Sequence, residues 1–136
     1  AIYRSDGLDS KLRFASDAER LYLRLDLRGW EPCVLEVRVH EPAACFARSD
    51  VIALGREQML TITDPEGRTT VCGLLAAAEL IELAMPLVAL GSAPGDRVSF
   101  QVRLIQNGIE RECYPENVPI EFTLPSEESA LANWIV

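Results

Sequence analysis

The chain has 136 residues, about half of them hydrophobic, with 13 Lys and Arg against 21 Asp and Glu and a net charge of -8. That length suits one domain with a single core, and the apolar content excludes a mainly disordered chain. The acidic balance argues against nucleic acid or an anionic membrane surface as partner, and no apolar run reaches the length of about 20 residues that spans a bilayer.

The chain opens on Ala1, not Met, followed by the strand-like Ile2-Tyr3. This start reads as a single domain, residues 1–136, cut from a longer protein, although a processed terminus would look the same. Lys11 to Ala15 sets Leu12 and Phe14 on one face, and Arg20 to Asp26 alternates Leu21, Leu23 and Leu25 with Tyr22, Arg24 and Asp26. Ser16-Asp17-Ala18-Glu19 between them has hairpin length. Cys33 to Glu41 repeats the alternation, with Leu35, Val37 and Val39 against Val34, Glu36, Arg38 and His40, until Pro42 removes a ladder donor.

Gln58 to Thr63 and Arg68 to Cys72 flank Asp64-Pro65-Glu66-Gly67, where Pro at the second position and Gly at the fourth specify a turn. The stretch "CGLLAAAELIELAMPLVALG" is ambiguous, because a short apolar run fits a buried strand or a helix. Its reading here is a strand over Glu79 to Met85 and a tight helical turn over Pro86 to Gly91. Arg97 to Gln106 alternates cleanly, and Asn107-Gly108 predicts a hairpin into Ile109 to Tyr114. Ile120 to Leu124 is a further strand. After Pro125, Ser126 as N-cap with Glu127 and Glu128 behind it predicts one helical turn.

Eight to ten short strands with turn-bounded spacing predict an all-β fold, an antiparallel β-sandwich of immunoglobulin-like or jelly-roll-like type with one short helical turn. Cys33, Cys45, Cys72 and Cys113 form no C-x-x-C, so a zinc knuckle or redox pair is not expected. Four cysteines allow three disulfide pairings, but a core of this size does not need staples, and free, mostly buried thiols are the expectation.

Enzyme chemistry is hard to assemble. His40 is the sole histidine and has no nucleophile context such as G-x-S-x-G, and 21 acidic residues make chance carboxylate pairs inevitable. Asp6 and Asp9 in "SDGLDS" lack the alternating spacing of a calcium loop and read as a plain Asp-Gly turn. Neither a metal nor a cofactor is expected. Binding is the better prospect, because the C–H face of a pyranose stacks on a flat π surface while carboxylates, amides and Arg hold the hydroxyls. Trp30, between Gly29 and Glu31-Pro32, is either a sugar platform on a loop or a plug at the end of the core. Trp134 belongs to a tail suited to docking. Tyr22 projects opposite to Leu21 and Leu23, where it lines a sugar-binding face or packs across strands. Tyr114, with Arg111 and Glu112 beside it in "ERECYPEN", is the second candidate ligand rim.

The order "DG", "RLYLRLDL", "ELAMPLVALGSAPGDRVSFQVRLIQNGIERECYPENVPIEFTLP" and terminal "NWIV" resembles the C-terminal β-sandwich domains of family-57 glycoside hydrolases. Those domains are in turn similar to family-9 carbohydrate-binding modules and DOMON-like sandwiches. The resemblance implies a non-catalytic accessory module of an α-glucan-processing enzyme. Its partners would be glucan or an oligosaccharide, or the catalytic domain of the parent chain. The alternative is a structural or interaction domain without sugar affinity. A DOMON-like haem binder would need axial ligands, for which the chain offers only His40, Met59 and Met85.

Overall fold

A computed structural model describes residues 11–26 and 31–126. These form β1 (Leu12–Ser16), β2 (Arg20–Leu25), β3 (Val34–Glu41), β4 (Cys45–Arg48), β5 (Glu57–Thr63), β6 (Thr69–Ala77), β7 (Ile81–Pro86), β8 (Arg97–Gln106), β9 (Ile109–Tyr114) and β10 (Ile120–Thr123). A 3₁₀ turn, Val88–Leu90, separates β7 from β8. The fold is all-β, and every described strand pairing is antiparallel.

The strands hydrogen-bond in the order β1-β2-β7-β6-β5-β4-β3-β8-β10. Strand β8 has β3 on one side; on the other, β10 pairs with its first half and β9 with its second. The architecture is therefore one continuous ladder, curled so that its two ends face each other. The aromatic contacts show the closure. Phe14 of β1 meets Phe122 of β10 with ring centroids 4.6 Å apart, and Phe100 of β8 edge-on at 6.0 Å. Such a curl gives each strand an inward and an outward face, which is the alternation written in the sequence. Leu21, Leu23, Leu25, Leu35, Val37, Phe100 and Val102 are fully buried inside it.

The ambiguous apolar stretch resolves into strands followed by the 3₁₀ turn. Its strand begins at Ile81 and continues through Pro86, so the helical turn is confined to Val88–Leu90. Ile81, Leu83 and Met85 point inward. Two features go beyond the sequence reading: β4, only four residues long, and the extension of β6 from Cys72 to Ala77. Gly73 explains the second. Its φ of 87° places a bulge in β6, where the pairing with β5 slips between Met59 and Thr61. The turns follow the sequence. Asp64 accepts the Gly67 N–H, and Asn107 and Gly108 take the positive φ values of 53° and 76° that a two-residue hairpin of this type requires. All four cysteines are free, Cys33 and Cys45 buried and Cys72 and Cys113 half-buried; burial pushes the Cys45 thiol up to about 11. Of the helical turn expected after Pro125, the N-cap Ser126 is the last described residue, and Glu127 and Glu128 lie outside those described.

Candidate functional site

The outward face of the curled sheet carries two rows of side chains, defined by strand register. The first runs Ala15–Tyr22–Ala84–Leu74–Met59 across β1, β2, β7, β6 and β5. Tyr22 therefore has an alanine directly opposite it on each neighbouring strand. Leu74 is 44% exposed, Met59 57%, and the nearby Val71 62%. The phenol donates to Asp17 Oδ2 at 3.0 Å. Burial and the Asp17 carboxylate both push its pKa up, against the Arg20 guanidinium, so Tyr22 stays a hydrogen-bond donor. Asp17 itself is fixed, because its Oδ1 accepts the Glu19 and Arg20 N–H groups at 2.8 Å. Two register positions along, on the same face, Arg24 and Glu82 pair across β2 and β7 at 3.1 Å. An aromatic ring, apolar neighbours and a guanidinium–carboxylate pair thus share one surface.

The second row runs Arg103–Glu36–Arg48–Thr61–Val71 across β8, β3, β4, β5 and β6, joining the first at its apolar end. Glu36 is 1% exposed although it stands on the outward face. Three guanidiniums cover it. Its Oε1 accepts from Arg38 Nε at 3.1 Å, Arg38 Nη2 at 2.9 Å and Arg103 Nη1 at 3.1 Å, and its Oε2 accepts from Arg48 Nη2 at 3.0 Å. Burial alone would raise its pKa, but the Arg38 hydrogen bond and the three positive charges outweigh it and hold the carboxyl below its ordinary range. Arg38 also lies 6.0 Å from the Phe46 ring centroid, and Arg103 bonds the Glu110 carboxylate as well.

The residues singled out in the sequence are not gathered in one place. Trp30 lies outside the described residues, as do Trp134, Asp6 and Asp9. Tyr22 is outward and half-buried, as its alternation requires. Tyr114 corrects the sequence reading: it is 7% exposed, opposite Val102 with its ring in the core, so it offers no stacking face. Strand β9 ends there with Tyr114 on the inward side of the alternation. Its hydroxyl donates to Glu112, and the Lys11 ammonium stands 5.8 Å from its ring centroid. Glu112 is exposed, and Arg111 is exposed where the β8–β9 register slips. His40 Nε2 lies 3.1 Å from Gln101 Oε1, and Gln101 in turn donates to the Pro115 carbonyl. Among the described residues no three of His, Cys, Asp and Glu converge as a metal site.

Sequence reasoning missed the Glu36 cluster. Glu36 and Arg38 were visible as outward neighbours two apart on one strand, but Arg48 and Arg103 join them only through register. Comparisons with family models, curated proteins and solved structures return no match for this chain.

Proposed function

We propose that the chain is a non-catalytic accessory module that recognises carbohydrate, α-glucan in particular, on the outward sheet face centred on Tyr22. The observation that carries this reading is the seat of Tyr22 between Ala15 and Ala84, beside the Arg24–Glu82 pair. A tyrosine ring stacks on the apolar side of a pyranose through its exposed part, and the flanking guanidinium and carboxylate hold the sugar hydroxyls. The α-glucan assignment comes from the resemblance described above. Affinity electrophoresis in gels containing soluble glucan tests it. The native chain is expected to be retarded, and Tyr22→Ala to run as in a glucan-free gel while still folded. Equal mobility of the native chain with and without glucan contradicts the reading.

A second reading, docking to a catalytic domain or partner subunit, is favoured by the exposed aliphatic side chains Leu74, Met59 and Val71. A contiguous apolar patch is the mark of a protein interface. Concentration-dependent association in sedimentation experiments, reduced by Leu74→Asp, is the outcome that favours it over sugar binding.

A further inference from the structure

The second row of the outward face has a charge that the first lacks. Arg38, Arg48 and Arg103 place three positive charges around Glu36, and with Glu110 on Arg103 the cluster keeps one net positive charge in a chain of net charge -8. A guanidinium carries five N–H donors. Arg38 uses its Nε and one Nη on Glu36, Arg48 one Nη, and Arg103 its Nε and one Nη on Glu110 and Glu36. Most donors of the three groups are therefore not spent on Glu36 or Glu110. Arg38 and Arg48 stand half exposed, and Arg103 is more covered.

We propose that this cluster is a binding site for a phosphate-class oxyanion, a phosphate monoester or free phosphate. The buried Glu36 carboxylate is its organising centre. It pins three long side chains whose rotamers would otherwise have to be ordered when the ligand arrives. Phe46 supports the Arg38 guanidinium from one side, and register puts Thr61 beside Arg48 and Gln101 beside Arg38 as further polar groups on the same face. Arginine is the side chain whose fork matches phosphate oxygens. A dianion with several terminal oxygens gains from three fixed guanidiniums at once, whereas a single carboxylate engages one fork. The cluster also explains why a carboxylate is buried on an outward face. A simple surface pair would leave Glu36 exposed, and such pairs contribute little. The site stands independently of sugar binding at Tyr22.

The test is a titration of the native chain with inorganic phosphate, following the Arg Nε–H signals by NMR with chloride at matched ionic strength as reference. Saturable shifts of the Arg38 and Arg103 signals are expected. Affinity should fall about tenfold in Arg48→Gln, and also weaken in Arg48→Lys, which keeps the charge but loses the fork. Arg56→Gln, which removes the same charge from a loop, should leave affinity unchanged. Glucose 1-phosphate binding more tightly than inorganic phosphate assigns the site to a sugar ester, and equal binding assigns it to free phosphate; either upholds the site. The proposal is overturned by shifts no larger than those from chloride, by acetate binding as strongly as phosphate, or by equal weakening in Arg48→Gln and Arg56→Gln.

Discussion

Glu36 and Tyr22 both stand on the outward face, yet they answer to different physics. Glu36 holds three guanidiniums, so replacing it leaves those charges crowded without their common partner. Glu36→Gln is expected to lower unfolding free energy by about 2 kcal/mol at neutral pH, below the value for a fully buried pair because the arginines still reach water. The pH dependence has a definite sign. A carboxyl held below its ordinary range contributes stability that is complete above that range and is lost as pH falls through its folded value. Urea titrations should therefore show the gap between the native chain and Glu36→Gln narrowing in acid; a gap independent of pH would contradict the charge assignment. Tyr22→Phe separates ring from hydroxyl. It removes the bond to Asp17, costing about 1 kcal/mol of stability, while the proposed recognition through the ring predicts that glucan retention survives. Loss of retention in Tyr22→Phe would assign recognition to the hydroxyl instead.

At the scale of the element, Gly73 and the register of β6 decide how the outward face is composed. A Cβ at Gly73 would lie 3.0 Å from the Ala84 carbonyl oxygen, at a φ of 87°. Gly55 shares the positive φ, at 78°, but a Cβ there meets nothing within 4 Å. Gly73→Ala should therefore cost about 2–3 kcal/mol against about 1 kcal/mol for Gly55→Ala, measured by thermal or urea unfolding. Equal costs would mean that the close approach to Ala84 is readily relieved. The bulge at Gly73 lets Leu74 stand outward beside Ala84 and Leu75 inward. This is where sequence reasoning ran short. Period-two alternation gives the faces of β2 and β8, and Asn107-Gly108 gives its hairpin, because both signals are local. A bulge shifts the alternation by one residue, so β6 could not be followed past Cys72. Strand β4 has four residues and no β-branched side chain, too little for a pattern. The Glu36 cluster draws on β3, β4 and β8, and its partners are 12 and 67 residues from Glu36 in the chain. No local signal joins them. Tyr114 was misjudged for a related reason: "ERECYPEN" is polar in composition, but the β8–β9 register turns its one large ring inward.

The whole molecule depends on the ladder closing on itself, and Phe14, Phe100 and Phe122 are where the first strand meets the last. Phe14→Ala should cost about 3–5 kcal/mol, because it leaves a cavity between the two ends of the sheet in addition to losing buried area. A cost near 1 kcal/mol would show that closure does not rest on these rings. The curl gives the two faces different side chains: the apolar alternation fills the interior, and the outward face carries Tyr22 at one side and the arginines at the other. The direct test of the account is to map that face. Amide resonances of the isotope-labelled chain, followed while maltooligosaccharide is added to millimolar concentration, should move saturably at Ala15, Tyr22, Ala84, Leu74 and Met59 and stay fixed for the interior of β8. Absence of any shift at millimolar sugar, or shifts confined to residues away from this row, would contradict recognition at Tyr22.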